Sequence, residues 1–277
     1  MVAPRRLVEA VFFDLFGTLV SLAPLDDACD PLSPGRGPEI AARWRARQLE
    51  ASWLRTAMGR WADFDVVTLD ALRATLDELG IDVPGDIDSV ADAFAGLPLT
   101  EGVSVAVRDL REAGIVTGVL TNASTRMLER TVARLGLPLD HLLSVDRVHQ
   151  FKPHPSVYNL AVDATGLPPE RIGFVTANGW DAAGASAFGF RVAWLRSGPV
   201  ATLPSVGAPA PIVGTWEEIP AIFADGRPSD CRPAAALRPR QLAANDPETT
   251  RSHRHEPYGS ASSRTGDQFR SRQRSDE

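Results

Sequence analysis

Short apolar runs that each stop on a polar residue constrain this chain most. Leu7–Phe13 ends at Asp14 and a Gly17-Thr18 turn, Val116–Leu120 at Thr121-Asn122, and Ile172–Val175 at Thr176-Ala177-Asn178. Arg191–Leu195 and Pro211–Val213 have the same strand-like character. Between them lie helix-period patterns at Val103–Ala113, Thr125–Leu135, Pro155–Ala164 and Asp181–Phe188. Strands of this kind alternating with helices predict an α/β fold, a doubly wound, Rossmann-like parallel sheet covered on both faces. In such a sheet ligands bind outside the carboxyl ends of the strands, where the polar stops fall.

The alternation is interrupted from about Ser21 to Thr100. Ile40–Met58, Val66–Leu79 and Ile87–Ala95 carry helix-period apolar positions with no strand between them, and Pro24, Pro31, Pro34 and Gly35–Gly37 mark an irregular approach. An all-helical cap subdomain over residues 21–100, inserted in a core of residues 1–20 and 101–224, is expected. Within it Trp53 and Trp61 are assigned to the cap interior, and Arg43, Arg47 and Arg55 to salt bridges along a helix face. Residues 225–277 hold ten arginines against eight acids, are rich in Ser, Pro and Thr, and lack apolar periodicity. They are expected to form a disordered tail.

Several function classes drop out. No stretch is long and apolar enough to cross a membrane, and Glu9 and Asp14 interrupt the one run that resembles a signal peptide. Cys29 and Cys231 form neither a disulfide framework nor a metal-ligand spacing. A cytoplasmic protein follows. The body ahead of the tail is strongly acidic, which disfavours nucleic acid as a partner. Lys152 is the only lysine in the chain; every other cation is arginine. Its survival suggests a position that needs a compact ammonium where a planar guanidinium would not serve.

Asp14, Thr18, Thr121, Asn122, Asn178 and Asp181 cluster at three strand ends, and Gln150-Phe151-Lys152-Pro153 opens the helix at Pro155. Singly each is weak, since an Asp after a strand is often a turn former or cap. Together they resemble the four motifs of the haloacid dehalogenase superfamily: Phe13-Asp14-Leu15-Phe16-Gly17-Thr18-Leu19, Thr121, Lys152 and Asn178–Asp181. Phosphatases of that superfamily carry a second Asp where Phe16 stands, as general acid to a leaving alkoxide. A phenyl ring donates no proton, whereas a halide leaves without one. Asn178 also stands where a Mg²⁺-binding carboxylate is usual, so no metal or other cofactor is expected. Trp44–Arg55, Met58–Phe64 and Phe151–Tyr158 resemble the L-2-haloacid dehalogenases specifically.

That resemblance implies hydrolysis of a short 2-haloalkanoate to a 2-hydroxyalkanoate. Asp14 attacks the halogen-bearing carbon, oriented by Thr18. Arg45 receives the halide, and Lys152 pairs with Asp14 and Asp181. Asp181 then activates water, positioned by Asn178 and Thr176. Thr121, Asn122 and amides near the helix at Ser124 hold the substrate carboxylate. Tyr158, Trp180, Leu49, Phe64, Phe16 and Leu15 line the site. Phe16 and Ala51 replace tyrosines of the subfamily, and Thr121 and Thr176 replace serines. The small 2-haloacid is the expected partner, with a homodimer possible and no membrane. A Mg²⁺-dependent phosphatase of a small metabolite and a non-catalytic anion-binding relative are the alternatives.

Overall fold

In the computed structural model, residues 7–82, 85, 87–196, 212–213 and 215–224 are described, so the tail expected over 225–277 lies outside them. Six parallel strands form one sheet: β1 (Ala10–Phe13), β2 (Val116–Thr121), β3 (His141–Ser144), β4 (Ile172–Thr176), β5 (Arg191–Leu195) and β6 (Ile212–Val213), in the order β3-β2-β1-β4-β5-β6. β1 is central and all four of its residues are buried, as a strand covered on both faces requires. Phe13 pairs with Val119 on one side and Val175 on the other, so Asp14 and the ends of β2 and β4 stand at one level. Gly118 permits this closeness, because a Cβ there would meet the Phe12 ring at 2.5 Å.

Helices α5 (Val103–Glu112), α6 (Thr125–Leu135), α7 (Pro155–Thr165), α8 (Gly179–Phe188) and α9 (Glu218–Ala224) accompany the strands. α6 is capped by Ser124, whose hydroxyl accepts from the Met127 amide, and ends on Gly136 at positive φ. α7 begins on Pro155, whose missing N–H costs nothing at a helix start.

Between β1 and α5 lie α1 (Pro24–Cys29), α2 (Gly37–Met58), α3 (Phe64–Glu78) and α4 (Ile87–Ala91), the last continuing as a 3₁₀ turn over Asp92–Gly96. α2 buries Ile40, Ala41, Trp44, Gln48 and Ser52, one stripe at helical spacing, against α3. The chain leaves and re-enters the sheet side by side: Val20 bridges Leu99, and the Thr100 amide donates to Leu19. These helices meet the carboxyl ends of the strands. Phe64 lies 6.0 Å from Phe16, Trp61 stacks on Phe151 at 4.7 Å, and Thr56 Oγ1 accepts from the Phe151 amide.

The structure corrects several expectations. β1 begins at Ala10 rather than Leu7, and β3, α1 and α9 had no counterpart in the sequence reading. Trp53 and Trp61 are not interior to the helical layer. Trp53 is 38% exposed and meets Trp180, while Trp61 packs on His149 and Phe151 of the sheet's loops. Arg43 pairs along the face of α2 with Glu39, as expected, while Arg43, Arg47 and Arg55 also tie α2 to Glu78 and Asp70 of α3.

Trp216, Ile219 and Phe223 are buried, which gives α9 a share in the core. Ending the chain after Ala224 should leave the melting temperature within a degree or two of full length. Ending it after Val213 removes three large apolar side chains, each contributing about 1.5–3 kcal/mol, and should unfold the protein near ambient temperature. Circular dichroism melts of the two truncations distinguish these outcomes.

Candidate active site

Asp14 follows β1 directly and is held there by its own amide, which donates to Val175 of β4 at 3.0 Å. Its carboxylate is 5% exposed and receives three donors. Lys152 Nζ reaches Oδ1 at 3.0 Å, while Thr18 Oγ1 and Asn178 Nδ2 reach Oδ2 at 3.0 and 2.7 Å. Lys152, wholly buried, lies with its other side 2.8 Å from Asp181 Oδ2. Asp181, also wholly buried in the first turn of α8, accepts on Oδ1 from the Tyr158 hydroxyl at 2.8 Å. Its position at the positive end of that helix favours the charged form.

Two strand ends and one loop thus deliver a carboxylate–ammonium–carboxylate line. The backbone around Lys152 is fixed too: its amide donates to Asn122 Oδ1 at 2.9 Å. Burial alone would push Lys152 down, but the two carboxylates outweigh it and hold the ammonium above its ordinary range. Asp181 moves the other way. Burial, helped by Asp14, pushes it up to about 6, against the opposing pull of Lys152. Burial likewise raises the Tyr158 phenol, which stays a proton donor. Arg45, on α2, is half-buried by side-chain area yet deeply desolvated at its guanidinium, which lowers it to about 10; Asp14 and Asp181 pull it back up. It therefore stays charged at neutral pH and feels both carboxylates.

The remaining expected residues fall into two groups. Leu15, Phe16 and Phe64 are buried, with Phe16 edge-on to Phe94 at 5.2 Å. Leu49, one turn beyond Arg45, and Trp180, against Trp53, are half-buried. Thr121 and Thr176 spend their hydroxyls locally, accepting from the Ala123 and Asn178 amides at 3.1 Å. Asn178 bonds Asp14 and the Phe16 carbonyl, so it grips the first carboxylate rather than standing apart beside the second. The start of α6 is also partly engaged, because Asp146 takes the Thr125 amide and Ser124 takes that of Met127. Residues missing from the sequence reading are Gln48 and Thr68, which carry Arg45. Gln48 sits on the largely apolar buried stripe of α2, which it shares with one other polar residue, Ser52, and that pattern was the available signal. Among the described residues no cluster of three or more His, Cys, Asp or Glu is close enough to hold a metal ion, and no helix is long and apolar enough to cross a membrane.

Removing the ammonium leaves two buried carboxylates facing each other. Lys152→Met should therefore cost about 3–5 kcal/mol of stability at pH 8. The loss should shrink at pH 5, where Asp181, with its raised pKa, takes up a proton and ends the repulsion. Denaturant melts at the two pH values measure the difference; an equal loss at both would contradict the electrostatic account.

A model of the haloacid dehalogenase-like hydrolase family matches residues 8–189. (S)-2-Haloacid dehalogenase of Pseudomonas sp. (strain YL) is 42% identical over 197 residues, covering 70% of this chain and 85% of its own. Haloacetate dehalogenase H-2 of Moraxella sp. (strain B) is 37% identical over 194 residues, 69% of this chain and 87% of its own. The solved structure of L-2-haloacid dehalogenase from Xanthobacter autotrophicus with chloropropionic acid covalently bound superposes with a TM-score of 0.70 at 34% identity, covering 78% of this chain and 98% of that one. With the motifs, sheet order and buried carboxylate–lysine–carboxylate line already in hand, these likenesses identify the chain as a member of the haloacid dehalogenase-like hydrolases, in the L-2-haloacid dehalogenase branch.

Proposed function

We propose that the chain is an (S)-2-haloacid dehalogenase, converting short 2-haloalkanoates to (R)-2-hydroxyalkanoates and halide. The observation that carries this is the line Asp14–Lys152–Asp181 with Phe16, and no acid, two residues after Asp14. Asp14 Oδ2 accepts two donors while Oδ1 accepts only Lys152 Nζ, which supports Oδ1 as the attacking oxygen. Attack in line displaces halide, breaks the carbon–halogen bond and forms an aspartyl ester. Nothing protonates the leaving group, and a halide needs no proton. Arg45, charged and within electrostatic reach of both carboxylates, offsets the repulsion between the anionic nucleophile and the anionic substrate and receives the halide.

Asp181 then serves as general base, taking a proton from the water that attacks the ester carbonyl. Tyr158 and Lys152 aim it. The second step breaks the acyl–oxygen bond, and the departing alkoxide takes up the proton that Asp181 removed from water, so the only inversion is that of the first step and an S substrate gives an R product. Thr18 and Asn178 fix the nucleophile, and Thr176 shapes the turn that presents Asn178. Thr121, Asn122, Leu15, Phe16, Leu49, Tyr158 and Trp180 complete the substrate's surroundings. The reaction is read as metal-independent, supported by Phe16 and Asn178 standing where the superfamily's phosphatases carry carboxylates.

Residues 21–100 are read as a cap over a core of 1–20 and 101–224; the paired crossing at Val20 and Leu99 supports that division. A cytoplasmic location and a homodimer complete the proposal. The exposed side chains of Leu54 and Met58 on α2 support the dimer.

Halide release from (S)- and (R)-2-chloropropionate in EDTA, beside Asp14→Asn, tests the reading. Release from the S form alone, abolished in the variant, is expected. Mg²⁺-dependent hydrolysis of a phosphate ester with no halide release would replace it by the phosphatase alternative. The acid limb adds a second test. Asp181 must be ionised to act, and esterification of Asp14 removes one of the charges that raise it. kcat should therefore fall with a midpoint below about pH 6; a midpoint above that value would contradict the assignment of Asp181 as base.

A further inference from the structure

Arg45 differs from its neighbours on α2. Arg43 pairs with Glu39 and Glu78, Arg47 with Glu78 and Arg55 with Asp70. Arg45, the most desolvated of these guanidiniums, has no carboxylate at salt-bridge distance among the described residues and instead donates from Nη1 to Gln48 Oε1. Gln48 is wholly buried one turn further on, and its Nε2 donates to Thr68 Oγ1 at 2.6 Å. The Thr68 hydroxyl in turn donates to the Phe64 carbonyl at 2.7 Å. The direction of the chain is forced at both ends. A guanidinium only donates, so the amide oxygen must face it, and the Thr68 hydrogen is committed to a carbonyl, so its lone pair must face the amide nitrogen.

We propose that Gln48 is the positioning residue for Arg45, held by Thr68 from the α3 backbone, and that its neutrality leaves the guanidinium charge to the anion in the site. A glutamate would hold Arg45 equally well but neutralise it; an apolar residue would keep the charge and lose the aim. This rests on the anion-receiving role read for Arg45 above. It extends that role by naming what keeps Arg45 both aimed and unpaired.

Gln48→Glu, Gln48→Met, Thr68→Val and Thr68→Ser separate these effects, with binding of chloride and of unreactive propionate measured by calorimetry beside kinetics. At pH 8, Gln48→Glu should weaken chloride and propionate binding and raise KM by about tenfold or more, the scale of one charge-assisted bond. All three should recover as the pH is lowered and the introduced carboxyl is protonated. Gln48→Met should lower kcat more than it weakens chloride. Thr68→Val should follow it in the same direction, with Thr68→Ser restoring wild-type values. A Gln48→Glu protein that binds chloride and propionate within twofold of wild type across the pH range overturns the proposal. If that variant does not fold, wild-type kcat and KM in Thr68→Val overturn it instead. Should the wild type release no halide, the dehalogenase reading fails, while the anion titrations still decide the part played by Gln48.

Discussion

One ammonium group holds the centre of this molecule together. Asp14 and Asp181 are both buried, and the ends of β1 and the start of α8 can come this close only because Lys152 Nζ lies 3.0 and 2.8 Å from them. Lone buried carboxylates carry a desolvation cost of several kcal/mol each, which the cation between them offsets. Arginine would not serve, because its planar fork is larger than the gap and is built for bidentate contact with one carboxylate. In a chain whose other Lys/Arg positions are all arginine, this geometry explains why a lysine stands here.

The same contact sorts two chemically identical side chains into different tasks. Asp14 is gripped by Thr18, Asn178 and Lys152 and slightly exposed, which suits the nucleophile proposed for it. Asp181 is sealed and pushed upward by burial, the condition of a base. What the sheet does not supply is the cation proposed to meet an anionic substrate; α2 brings in Arg45 for that part. The chemistry therefore depends on the helical layer sitting against the strand ends, through Phe64, Trp61 and Thr56.

Much of this was legible in the sequence because it rests on local pattern. The strands at β1, β2, β4 and β5 are apolar runs with abrupt polar stops, and the stops carry the site. β3 was not legible: His141-Leu142-Leu143-Ser144 is short, opens on a polar residue, and becomes a strand only because β2 offers it an edge. α9 is too brief, and carries a proline, so its helical form follows from burying Ile219 and Phe223. Trp53 and Trp61 are large apolar side chains that the sequence assigns to the cap interior, yet tertiary packing sends them toward Trp180 and Phe151. The Gln48–Thr68 connection joins two helices, so a polar residue on the buried stripe of α2 marks one end of it but does not name its partner.

The covalent mechanism requires that an Asp14 oxygen, and not a water oxygen, first bonds to the substrate carbon. A single turnover with enzyme in excess of (S)-2-chloropropionate in H₂¹⁸O tests it most directly, with mass spectrometry of both the product and the peptide containing Asp14. The account predicts unlabelled lactate and one ¹⁸O atom in the Asp14 carboxylate. Labelled lactate with an unlabelled Asp14 peptide would mean that water attacks the carbon itself, and the covalent mechanism would fall.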